Sequence, residues 1–328
     1  MRVLAGDIGG TKTALALIDI DASGSSLGRM QRYPSGNYAG LEEIVTEFLA
    51  SENRLPAAAG FGVAGPVRGG KAKVTKLPWR LDASRLAQKS GIPRVSLVND
   101  FVAAALGLSY LKPRQVATLK RGRAEPGAPI GILGAGTGLG QAVVVPGKDH
   151  SDVVPSEGGH ADFGPRNPRE DRFVLFLRER FGRATRDRIL SGGGLALHYE
   201  FLKRDGAAPE SPAVAAALRM EDPAAVVSRF ALARRDRLCR IALEAFVSIY
   251  GSETGNLALQ YRATGGVYVA GGIAPKILSE LRRPEFLRSF LDKPPMEELL
   301  ARIPVRVVLD WRVGLLGAAA SARAIGGR

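Results

Sequence analysis

The feature that most constrains this chain is a unit that occurs twice: an apolar strand, a glycine-rich turn and a second strand. Val3 to Asp7 passes through Ile8-Gly9-Gly10-Thr11-Lys12 into Thr13 to Ile20. Ile130 to Leu133 passes through Gly134-Ala135-Gly136-Thr137-Gly138-Leu139-Gly140 into Ala142 to Val145. A strand-like run follows each turn, so both turns read as hairpins and not as loops that open a helix. Thr11 stands where a P-loop needs glycine before its lysine, and Leu139 where G-x-G-x-x-G needs its last glycine. Glycine admits positive φ and lets backbone N–H groups close on an anion, and Thr11 and Thr137 add hydroxyl donors. Either turn alone is an ordinary glycine hairpin. Two of them, one opening each half of the chain, predict a two-lobed nucleotide clamp. Asp7 meets phosphate favourably only through a cation, which makes it the candidate holder of Mg²⁺, through water.

Between the two units the chain alternates helix and strand. Leu27 to Tyr33 reads as a third strand, Leu41, Ile44, Val45, Phe48 and Leu49 recur at helical spacing, and Ala57 to Ala64 is an apolar strand. Val95 to Val98 reads as a buried strand and Phe101 onward as a helix, which puts Asn99 and Asp100 on the turn between them. In open α/β sheets that turn lies at the carboxyl edge, where ligands bind. A helix cap is the ordinary alternative for either residue. Pro113 and the polar, Pro/Gly-rich Lys120 to Pro129 stretch read as the domain junction. Arg169 to Tyr261 is mostly helical, Gly266 to Ala270 and Val305 to Leu309 are short strands, and Val313 to Ile325 makes a closing helix. Gly271-Gly272 ends one of those strands, with Pro275 placed to begin a helix.

A second polar cluster is Ser156-Glu157-Gly158-Gly159-His160-Ala161-Asp162. Glu157 accepts hydroxyl hydrogen bonds and His160 donates or accepts, although a solvated loop explains either residue alone. Asp187 offers a third acceptor, with a helix cap or an ion pair to Arg188 as the ordinary alternatives. Together with Asn99 and Asp100 these short polar side chains suit a polyhydroxylated ligand. Hydrogen bonds to charged groups contribute roughly 1.5–3 kcal/mol each, enough to discriminate among sugar epimers.

Composition narrows the classes. The 328 residues suffice for two cores, and no apolar run approaches the about 18 residues of a membrane span. An acid at Asp7 interrupts any signal-peptide core, so a cytoplasmic protein is expected. Cys239 is the only cysteine, which excludes an internal disulfide or a multi-cysteine zinc site, and His150, His160 and His198 are too far apart for H-E-x-x-H. Forty-six basic and thirty-two acidic residues leave a net charge of +14, a field that attracts polyanions. The basic residues are scattered, however, and the densest cluster, Arg234-Arg235-Asp236-Arg237, reads as the solvated face of a helix. Neither nucleic-acid motifs nor a membrane segment are present.

The motifs, taken in order, resemble the bacterial glucokinase family, within the superfamily that joins sugar kinases to actin. The similar segments are Gly6 to Thr11, Leu97 to Phe101, Gly134 to Gly140, Glu157 to Phe163, Leu190 to Leu195, Val267 to Pro275 and Gly314 to Gly317. The resemblance implies an α/β fold of two ribonuclease-H-like (actin-like ATPase) lobes with a central cleft. The small lobe would span residues 1–112, completed by the helix 313–328, and the large lobe 113–312. It implies a glucokinase that uses ATP and Mg²⁺, with glucose as substrate and a homodimer as the assembly. Asp100 would be the catalytic base, and Asn99, Glu157, His160 and Asp187 the other sugar ligands. Gly6, Asp7, Ile8, Gly9, Gly10 and Thr11, with Gly136, Thr137 and Gly138, would hold phosphate, and Gly271 and Gly272 adenosine. Asp187 replaces a usual glutamate, and Lys12 and Lys76 replace frequent asparagines. The ROK group's cysteine-rich zinc motif is absent. The alternatives are a kinase of another hexose, a polyphosphate-dependent enzyme, a non-catalytic sugar-sensing regulator and an actin-like assembly protein.

Overall fold

Alternation along the first strands decides where they sit. Leu4 and Ile8 pack with Leu15, Phe48 and Phe61 on one side of a sheet, while Val3 and Ala5 join Ala14, Ala16, Leu315 and Ala318 on the other. Side chains point to opposite faces with a period of two, so both faces of this sheet are covered by helices. The computed structural model describes residues 1–147 and 151–327, and His150, with its neighbours Lys148 and Asp149, lies outside them. The chain forms two units, one from the segments beginning at Met1, Ser151 and Asp310, the other from those beginning at Val116 and Ser156.

The first unit contains β1 (Arg2–Ile8), β2 (Lys12–Ile20), β3 (Ser25–Pro34) and β4 (Ala58–Val63), then a small antiparallel sheet of β5 (Val67–Arg68), β6 (Lys71–Lys73) and β7 (Arg80–Asp82), and then β8 (Val95–Asn99). Its main sheet has the order β3-β2-β1-β4-β8, with β1, β4 and β8 parallel and the hairpin strands antiparallel. The remaining strands are β9 (Val116–Lys120), β10 (Ile130–Ala135), β11 (Leu139–Pro146), β12 (Ser151–Ser156), β13 (Gly266–Ala270) and β14 (Val305–Val308). They form the order β12-β11-β10-β13-β14-β9, the same series with β9 added at the far edge. Sequence and structure agree on both hairpins and on the domain-scale repeat.

Two local expectations are corrected. Pro275 does not begin a helix: Gly271 takes φ +81° and the Ile273 N–H donates to the Ala135 carbonyl, which folds the segment into successive turns until helix Leu278–Leu281. The basic cluster lies at an interhelix turn and not along a helix, because Arg234 takes φ +54° and Asp236 caps helix Arg237–Gln260 through the Cys239 N–H. Of the segments expected at the domain junction, Lys120 to Pro129 joins β9 to β10, and the division between units at Gln115–Val116 lies just after Pro113.

Helix Val313–Gly326 belongs to the first unit and packs on helix Asp100–Gly107 at backbone distance. A methyl group on Gly317 would overlap the Ala103 carbonyl, and one on Gly107 the Val313 carbonyl. Gly317→Val is therefore expected to destabilise the protein by about 3 kcal/mol, since neither clashing group is a side chain free to move. A melting curve that matches the wild type would contradict this packing.

Candidate active site

In the first unit the parallel strands β1, β4 and β8 end level with one another, Ile8 opposite Val63 and Val63 opposite Asn99. The glycine hairpin leaves β1 here. The Gly9 N–H donates to the Lys12 carbonyl at 3.0 Å, Ser35 Oγ donates to the Gly9 carbonyl at 2.9 Å, and the Ser35 N–H donates to the Thr11 carbonyl at 3.1 Å. Gly10 lies under the next loop, where a methyl group would stand 2.5 Å from the Thr75 carbonyl oxygen.

Asn99 is the helix cap. Its Oδ1 accepts the Phe101 and Val102 N–H groups at 2.9 and 3.3 Å, and its Nδ2 donates to the Gly65 carbonyl at 3.1 Å. One amide hydrogen is left for a ligand. Asp100 is the first residue of the helix, half-buried, with Oδ1 accepting the Phe101 N–H at 2.9 Å. Asp7 is close enough to feel its charge. Burial, then the Asp100 carboxylate, push the Asp7 pKa up to about 6, against a smaller opposing pull from Arg32. Arg32 lies in the same row across the sheet, opposite Ala14 as Ala14 is opposite Asp7, and its guanidinium stacks on Trp311 at 3.8 Å. Gly314, in the first turn of the closing helix, faces the Asp7 carboxylate: a methyl group there would meet it in ordinary contact at 3.7 Å. Sequence reasoning missed Arg32, which nothing but strand register connects to Asp7.

In the second unit the turn after β10 and the turn after β13 lie side by side, since Gly134 pairs with Ala270 and a methyl group on Gly271 would be 2.5 Å from the Ala135 carbonyl. The hairpin is held at its base, where Gly136 N–H donates to the Gly138 carbonyl at 2.8 Å and Gly192 N–H to the Gly136 carbonyl at 2.9 Å. Methyl groups on Gly136 or Gly272 would meet nothing within 4 Å. Packing thus does not require these two glycines. Thr137, next to Gly136, is exposed.

Glu157 and His160 bracket one turn of 3₁₀ helix and face solvent, Oε2 and Nε2 4.0 Å apart. Gly159 between them lies against the Leu139 carbonyl, which a methyl group would overlap. Asp187 sits in helix Arg186–Ile189 and takes neither of its ordinary roles. Thr185 is the cap, and Arg188 stacks on Phe181. Instead Asp187 Oδ1 accepts the Leu139 N–H at 2.7 Å. Behind this turn, the buried Glu253 carboxylate receives Gln141 Nε2 at 2.8 Å, Arg186 Nη1 at 2.9 Å and Asn256 Nδ2 at 2.9 Å. Sequence reasoning missed this network too, because its members are distant in the chain.

The family model for glucokinase matches residues 4–325. The chain belongs to the glucokinase family. A curated glucokinase of Nostoc sp. is 43% identical to this family member over 97% of each chain. The solved glucokinase from an Antarctic psychrotroph is 29% identical with a TM-score of 0.86, covering 98% of this chain and 99% of that one. A ROK family glucokinase from Streptomyces griseus, solved in complex with glucose and AMPPNP, shares the fold at 21% identity, with a TM-score of 0.66 and coverage of 99% of this chain and 100% of that one. The resemblance read from the motifs is thereby established.

Whether this glucokinase-family site fits Mg²⁺ is decided by the donors present. Among the described residues no cluster of three or more His, Cys, Asp or Glu side chains is placed to hold a metal. Mg²⁺ usually keeps several waters and binds through one or two carboxylates plus substrate phosphates, so a full protein cage is not needed. Asp7 fits that role: its ionised form is disfavoured by burial and by Asp100, and a cation relieves both. Among the described residues no helix is long and apolar enough to cross a membrane.

Proposed function

We propose that this chain is an ATP-dependent glucokinase, transferring the γ-phosphoryl group of ATP to the 6-hydroxyl of glucose to give glucose 6-phosphate and ADP, the entry step of glycolysis, in the cytoplasm. The observation that carries the reading is the Asp100 carboxylate at the first turn of the helix after β8, near enough to Asp7 to raise its pKa, in a chain of this family. In this reading Asp100 orients the 6-hydroxyl and accepts its proton as the new O–P bond forms and the bond to the ADP oxygen breaks. The transfer state is loose, so orientation contributes as much as basicity. The turns Gly9 to Thr11 and Gly136 to Gly138 receive the phosphates through N–H groups other than those of Gly9 and Gly136, which close the turns themselves. The bare backbone of Gly271 and Gly272 receives adenosine, and Asn99, Glu157 and His160 bind sugar hydroxyls. Asp7 would hold Mg²⁺ through water, and the ion would supply positive charge to the phosphates. In this reading the small lobe is residues 1–112 with the closing helix, and the large lobe is residues 113–312.

Glu157→Gln and His160→Ala are expected to raise the Kd for glucose about tenfold or more each while leaving ATP binding within about twofold, because each removes one charged or strongly polar sugar contact. Calorimetric titration that shows unchanged glucose affinity would displace the sugar site from this turn. The reading as a whole is tested by ADP release across a panel of hexoses, with ATP and polyphosphate as donors. Glucose with ATP should give the highest kcat/KM. A higher value for another hexose or for polyphosphate, or no turnover at all, would overturn it.

A further inference from the structure

We propose that Asp187 is a positioning residue of the phosphate turn and not a contact to the sugar. The proposal rests on the glucokinase reading for what the turn binds, and on geometry for what Asp187 does. Its Oδ1 accepts the Leu139 N–H at 2.7 Å, a charge-assisted bond at the foot of the Gly136–Gly138 turn. Gly138 is glycine for the same reason, since a methyl group there would overlap Asp187 Oδ1.

The carboxylate is fixed from behind. Helix Arg186–Ile189 begins where the Arg186 N–H donates to the Ala161 carbonyl at 3.1 Å and Thr185 pairs with Asp162. The Arg186 side chain is tied to buried Glu253 at 2.9 Å, and Glu253 also holds Gln141, whose Oε1 fills the space beside Gly158. Leu139 is therefore gripped on both sides of its residue: its N–H by Asp187, its carbonyl by the close approach of Gly159. Arg186 and Asp187 together brace the turn that carries Gly136 and Thr137 against the turn that carries Glu157 and His160. A side chain in this position sets the height of the phosphate turn, and its effect should appear in nucleotide binding.

The test is steady-state kinetics on the full chain with Mg²⁺, varying ATP and glucose separately, for Asp187→Ala and Asp187→Asn. Alanine removes the acceptor and should raise the KM for ATP about tenfold, with the KM for glucose within about twofold. Asparagine keeps an acceptor oxygen for Leu139 and should return the KM for ATP to within about threefold of wild type. A KM for glucose that rises about tenfold in both variants while that for ATP stays put identifies a sugar contact and overturns the proposal. An equal rise in both constants marks general loosening and overturns it as well. Amide exchange separates this failure from failure of the functional reading: without any substrate, Leu139 should lose protection in Asp187→Ala and keep it in Asp187→Asn, and unchanged protection in both refutes the brace.

Discussion

Asp100→Asn is expected to bind glucose within a few-fold of wild type and to turn it over about a thousand times more slowly. Asparagine has the same shape and keeps an oxygen that accepts the Phe101 N–H, so the start of helix Asp100–Gly107 survives, and Asn99 still supplies the cap. The lost charge at the first helical position weakens the helix-dipole interaction by roughly 0.3–1 kcal/mol, and removal of the repulsion on Asp7 offsets it. Stability should therefore hardly change. The amide does not accept the hydroxyl proton and orients the oxygen less firmly, and loss of a general base lowers rates by about 10²–10⁴-fold. Rapid-quench measurement of phosphoryl transfer, with glucose Kd determined on the same sample, separates the two effects. Near-normal turnover would end the assignment of Asp100 as base.

Asp7→Asn should move activity and stability in opposite directions. An acid whose folded pKa is raised from 3.8 to about 6 is favoured in its protonated form by the fold. Its penalty on stability is absent below about pH 4, builds as pH rises through about 6, and is full above that. A shift of about two units corresponds to about 3 kcal/mol, which partial exposure of the side chain reduces to roughly 2 kcal/mol. In the metal-free protein, asparagine should therefore raise Tm by several degrees at pH 8 and by about half as much at pH 5. Turnover with ATP should fall by at least about a hundredfold, since the carboxylate proposed to hold Mg²⁺ is gone. Calorimetry in the presence of a chelator at both pH values, beside an assay at saturating Mg²⁺, checks both halves. A variant that is less stable than wild type at pH 8, or that retains normal turnover, contradicts the electrostatic account of this acid.

The fold was legible wherever local pattern and tertiary structure demand the same thing. Strands β1 and β2 alternate, the turn between them needs glycine under the Thr75 carbonyl, and the repeat after β10 announces the second sheet. Asn99 and Asp100 could be placed at a strand end because the apolar run stops there. Contacts set by register or by distant segments were not legible. Arg32 reaches the neighbourhood of Asp7 only because two antiparallel pairings align both residues with Ala14. Asp187 serves Leu139, forty-eight positions earlier in the chain, so its length relative to glutamate signalled a change without saying which group it would meet. Pro275 carried the signature of a helix start, but the backbone bond from Ile273 to Ala135 outweighed that local preference.

Helix Val313–Gly326 covers the face of the first sheet to which Ala5 and Ala14 contribute, yet the ribosome makes it after the whole of the second unit. During synthesis the first unit thus waits with one apolar flank bare while the intervening segment emerges and folds. Such a nascent chain presents apolar surface until its last helix is made, and a translation arrest before Leu315 should leave a nearly full-length chain without that cover, prone to association and proteolysis.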